Sequence, residues 1–95
     1  MRLKQAPQSA HSAEETALNL IAFLLGDDDR TERLVALTGI GRDDLQSRMH
    51  EPEFQAFVFD YALQDDALII EFSQSINQRP ESVVAARRKL PGEGF

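Results

Sequence analysis

The chain contains no cysteine. That excludes disulfide bonds and thiolate metal sites, and it is compatible with a reducing cytosol. No apolar run approaches the roughly 18 residues of a membrane span. The N-terminus, MRLKQAPQSAHS, carries charge without an apolar centre, so a secretory signal is not expected. Period-two alternation of apolar and polar residues is missing, and no internal repeat is found. Without strands there is no strand-borne glycine-rich phosphate loop. Asp27-Asp28-Asp29 lacks the alternating ligands, turn glycine and distal glutamate of an EF-hand.

Reactive constellations are also scarce. His11 and His50 are far apart in the sequence, and nothing in their spacing requires a shared metal. Ser9, Ser12, Ser47, Ser73, Ser75 and Ser82 fall in helical or capping contexts, with no nucleophile elbow. Asp60, Asp65 and Asp66 are the carboxylates closest to a cluster, and helix capping accounts for the last two. No catalytic role, cofactor or metal is therefore expected.

What is present is an ordinary globular composition, 42% hydrophobic and 27% charged in 95 residues. One domain with one modest core is expected. The net charge of −6 is uneven. Residues 13–71 hold 14 acids and four bases, whereas residues 79–92 hold four bases and one acid. A mostly acidic body opposes phosphate backbones and anionic membranes, so neither nucleic acid nor membrane is an expected partner.

The richest stretch is 51–77, EPEFQAFVFDYALQDDALIIEFSQSIN, with five of the seven aromatic residues. Pro52 suits the first turn of a helix, and Glu51 and Glu53 suit its dipole. Phe54, Phe57, Val58, Tyr61 and Ala62 then recur at helical spacing and are read as the core face. On that reading, truncating Phe57 removes a buried aromatic. Phe59 and Leu63 point away from this face, with Ala56 beside them. Either the helix is central and covered on both sides, or Phe59 and Leu63 form an exposed face for a partner. Asp65 caps the following helix, whose core face is Leu68, Ile69, Phe72 and Ile76, with Ile70 outside it.

The remaining segments read as shorter helices. Ser12 and Glu15 form a capping box ahead of Ala17, Leu18, Ile21, Leu24 and Leu25. Gly26 is expected to close that helix in the left-handed conformation. One of the three aspartates caps the next helix, which carries Leu34, Val35 and Leu37 and stops at Gly39. Ile40 turns inward, and a short helix from Arg42 carries Leu45 and Met49. The last helix opens at Pro80 with Val83, Ala86 and Leu90 on one face, and Pro91-Gly92 ends it. The expected organisation is a flexible arm over 1–11, one helical domain over 12–92 and a loose tail over 93–95. The fold class is all-α, a compact bundle of five or six short helices.

Several ordered segments resemble a family of small bacterial proteins that is known only as a domain of unknown function. They are Ala17-Leu-Asn-Leu-Ile-Ala-Phe-Leu24, Leu37-Thr-Gly-Ile40, Asp44-Leu45, Pro52-Glu-Phe54, Phe59-Asp-Tyr61 with Asp66-Ala-Leu68, Pro80-Glu, Ala85-Ala-Arg-Arg88 and Leu90-Pro-Gly92. The likeness runs over roughly residues 13–92 and departs at the junction 26–29. It implies a small, all-helical, cytoplasmic bacterial protein, and it brings no catalytic or ligand residues.

The function expected from these features is a non-catalytic protein-interaction or structural module. Its partner is another protein or a second copy of the chain, held through Phe59, Leu63 and Ile70. Arg79, Arg87, Arg88 and Lys89 form a further basic spot suited to dipole stabilisation or to an acidic partner. The alternative is DNA binding through residues 33–48, which read as a helix-turn-helix offering Arg42, Gln46 and Arg48. Asp43 and Asp44 lie in the first turn of that recognition helix, where they would repel a phosphate backbone.

Overall fold

The structure is a computed structural model, and residues 12–92 are described. The arm assigned to 1–11 and the tail assigned to 93–95 lie outside the described residues. Among the described residues the chain forms six α-helices and no strand: α1 (Ala13–Leu25), α2 (Asp28–Thr38), α3 (Arg42–Ser47), α4 (Pro52–Leu63), α5 (Asp66–Ser75) and α6 (Pro80–Arg88).

Short polar side chains start these helices as their chemistry requires. The Ser12 hydroxyl accepts from the backbone N–H of Glu15 at 3.0 Å. Asp27 accepts from Asp29 at 2.9 Å, which identifies the capping member of the aspartate triplet. Asp65 accepts from Leu68 at 3.1 Å. Each satisfies an N–H that has no partner inside its helix. α4 and α6 instead open on Pro52 and Pro80, which lack the orphan N–H.

The helix ends differ from one another. Gly39 closes α2 at φ 73°, and its N–H donates to the Val35 carbonyl at 2.7 Å. Gly26 does not adopt the left-handed conformation expected of it. Its φ is −78°, and its N–H simply continues the α1 ladder onto Ala22. Asp27 follows at once as the cap of α2, so the chain turns without a left-handed residue. A non-glycine residue, Asn77, takes the left-handed conformation after α5, at φ 60°. There Asn77 N–H donates to Gln74 and Gln78 N–H to Ser73, the paired bonds of a Schellman ending.

α4 packs against α1, α5 and α6, and α1 also carries α2 and α6. The core between them contains Leu20, Ile21, Leu24, Leu34, Leu45, Val58, Phe59, Phe72 and Val83, all fully buried. Being covered on three sides sets which residues of α4 face inward. The buried arc takes in Phe54, Val58, Ala62, Gln55, Phe59 and Ala56. At about 100° per residue this arc is rotated toward Phe59 from the face that the aromatic spacing suggests. Phe59 is 0% exposed, so it is core and no partner face. Phe57, read as core from its spacing, is 40% exposed. Leu63 is half-buried against the core, and Ile70 is 49% exposed on α5.

Candidate functional site

α2 lies on α1 and stands off from α4, and the space between α2 and α4 is a groove. Its volume is about 340 Å³ and its lining is Leu37, Thr38, Ile40, Phe54 and Phe57. The buried stripe of α2 is Thr31 and Leu34. Leu37, three residues beyond Leu34, falls on the flank of that stripe and is 58% exposed. Phe57 forms the opposite wall. Its ring stacks on Phe54, with centroids 6.4 Å apart and planes 26° from parallel. Phe54 is buried, so the exposed ring stands on a fixed base. The Thr38 hydroxyl donates to the Leu34 carbonyl at 2.8 Å and accepts from the Ile40 N–H at 3.0 Å. The floor at the turn therefore presents little unsatisfied polarity. A groove with apolar walls and a satisfied polar floor can take an apolar side chain at little desolvation cost.

A second recess, of about 110 Å³, continues along the same seam and is lined by Arg30, Arg33, Tyr61, Asp65 and Glu71, among others. Arg30 pairs with Glu71, and its guanidinium lies 4.8 Å above the Phe23 ring centre. The two recesses give the direction of the helices. Arg33 is beside Tyr61 and Leu37 is beside Phe57, so α2 and α4 run antiparallel along this face.

The basic residues of the C-terminal region do not form one spot. Arg79 is the N-cap of α6, at the opposite end of that helix from Arg88 and Lys89. Arg87 is 6% exposed, so it is no docking cation. Its Nε donates to Asp60 Oδ1 at 2.6 Å and its Nη2 to Asp60 Oδ2 at 3.1 Å. Its Nη1 reaches the carbonyls of Leu90 and Pro91 at 3.4 and 3.3 Å. This two-pronged clamp joins α4 to α6 and holds the chain beyond α6. The hydrogen bonds that Arg87 donates to Asp60 raise the Arg87 pKa above its ordinary value, burial opposes it, and the Asp60 charge adds to the rise. Arg88 remains exposed beside this pair, in a recess of about 550 Å³ that also includes Leu63 and Gln64.

The residues proposed for a recognition helix are also placed. Arg42 folds back onto the body, with Nη2 donating to the Leu25 carbonyl at 2.8 Å and Nη1 lying 3.5 Å from Asp28. Gln46, Arg48, Asp43 and Asp44 are exposed, and α3 spans six residues. His50 lies 3.3 Å from Glu14 on the surface. Among the described residues, no group of three or more histidines and acids is placed to hold a metal ion, and no helix is long and apolar enough to cross a membrane.

Two features were missed by sequence reasoning. Arg87 occupies the i+4 slot of the pattern Val83, Ala86, Arg87, Leu90, and Asp60 is a carboxylate on an otherwise largely apolar helix. A charge inside the apolar stripe of α6 was the available signal for the pair. The groove had a weaker signal, since it depends on α2 and α4 standing apart.

The fold and these features define a small all-α protein built on a central aromatic helix. The chain belongs to the family described as protein of unknown function DUF3572, whose model matches residues 10–93. No curated protein and no solved structure matches it.

Proposed function

We propose that this protein is a cytoplasmic, non-catalytic interaction module whose docking site is the groove between α2 and α4. The reading is carried by one observation: Leu37 and Phe57 stand exposed on facing walls of one apolar groove. Large exposed apolar side chains are unremarkable singly, whereas a facing pair over a floor whose polar groups are already satisfied has the form of a binding groove. Phe59 has no part in this proposal, because it is core. The DNA-binding alternative has less behind it, since Arg42 is engaged with Leu25 and Asp28.

Photo-crosslinking inside the native cell tests the groove. A photoreactive amino acid is placed at Leu37, and at exposed Glu81 on α6 as the control. A discrete crosslinked band from position 37, absent at position 81 and abolished by Phe57→Asp, is expected. No band from position 37, with the helical content and melting temperature unchanged, overturns the proposal.

A further inference from the structure

The groove has ends of opposite charge. Arg33 lies one helical turn before Leu37 on α2, at the end shared with Tyr61. Glu53 lies one turn before Phe57 on α4. Because the helices are antiparallel, these single turns lead to opposite ends of the groove, each about 6 Å from the apolar centre. Both side chains are exposed, and among the described residues neither has a hydrogen-bond or ion-pair partner. Arg30, three residues before Arg33, differs in this respect, being already bound to Glu71.

An apolar centre flanked by one unspent cation and one unspent anion is complementary to itself. Consider a two-fold axis in the contact plane, perpendicular to the line from Arg33 to Glu53. It exchanges the two ends while keeping the grooves face to face, so each arginine meets the glutamate of the other copy. Leu37 and Phe57 of the two copies then cover one another. An arbitrary apolar partner would not need charges so arranged, whereas a second copy uses both.

We propose that the occupant of the groove is a second copy of this chain, docked on a two-fold axis that pairs Arg33 with the other copy's Glu53. This inference rests on reading the groove as a docking site. The chain's net charge of −6 opposes self-association, so the pairing is weak and reversible. Rim charges of this kind fix orientation and partner choice more than they add affinity.

Sedimentation equilibrium on the full chain, over a wide range of concentrations, tests it. The wild type is expected to pass from the monomer mass to twice that mass. Leu37→Asp and Phe57→Asp are expected to weaken the dimer at least about tenfold, as charges placed in a desolvated contact do. Arg33→Glu and Glu53→Arg each weaken it several-fold, and the double variant Arg33→Glu/Glu53→Arg restores it. Circular dichroism confirms that each variant remains helical. A wild type that stays monomeric throughout, or a double variant no better than the singles, overturns the two-fold arrangement. The crosslinker at Leu37 separates this failure from failure of the groove itself. A band at a mass other than twice the chain removes the second copy but leaves a docking groove, whereas no band at all removes both.

Discussion

Phe57 and Phe59 are the same side chain two residues apart on α4, and one is 40% exposed while the other is 0% exposed. Phe59 points into the space where α4 meets its neighbouring helices, and Phe57 points at the gap left by α2. Their difference owes nothing to chemistry or propensity. It comes from which side of α4 has a helix laid close against it. On the Phe59 side Asp60 and Arg87 are locked together across α4 and α6. Around the Phe57 side Arg33 and Glu53 are left over, and Leu37 stands open. One side of the helix is finished by this chain alone, and the other has the makings of a contact.

The largest expected effect comes from truncating each ring in turn. Phe59→Ala leaves a cavity in a fully packed core and should cost about 3–5 kcal/mol in chemical denaturation. A chain of this size has little stability to spare, so that variant approaches unfolding in water. Phe57→Ala removes a half-exposed ring stacked on Phe54 and should cost about 1 kcal/mol or less. Similar losses for the two variants would break the comparison, since they would place Phe57 in the core.

The all-α class, a bundle of five or six short helices, and most of their caps were legible in the sequence. Serine, aspartate, proline and glycine act locally, within a turn of where they stand. The inward face of α4 was not legible, because it depends on how many helices crowd it. Phe54, Phe57 and Tyr61 match a core stripe by spacing, yet the buried arc is centred nearer Phe59 and includes Gln55, whose amide donates to the Met49 carbonyl at 2.8 Å. A buried glutamine cannot be recognised until the carbonyl that satisfies it is in place. The same holds for Arg87. Near a helix C-terminus its charge has a sufficient local explanation in the dipole, and its actual partner lies 27 positions earlier in the chain.

The next effect in size tests the seam on the finished side. Asp60→Ala leaves the Arg87 guanidinium buried with only backbone carbonyls to receive it and should cost about 3 kcal/mol. The double variant Asp60→Leu/Arg87→Met replaces the pair by apolar volume and should lose about 1 kcal/mol or less. A double variant as poor as the single would mean that the ion pair itself holds α4 to α6. The sign of the pH dependence follows from the raised pKa of Arg87. Its contribution is fully present below the ordinary arginine value and is lost only as pH rises past the folded one, so the alkaline side of neutrality leaves it intact.

The smallest effect belongs to the frame of the groove. Gly39 holds φ 73° at the end of α2, and nothing lies within 4 Å of where a Cβ would sit. The cost of Gly39→Ala is therefore backbone strain alone, about 1 kcal/mol. It should appear locally, because Gly39 sets where α2 stops and so where Leu37, Thr38 and Ile40 stand against Phe57. Amide hydrogen exchange is the sensitive readout. Protection should fall in the last turn of α2 while the amides of α4 around Phe59 keep theirs. Gly41→Ala, at φ −66° with the same open space, is the control and should leave both helices unchanged. Loss of protection spreading equally into α4 would show that the groove and the core unfold as one unit. The two sides of the helix would then differ in exposure but not in stability.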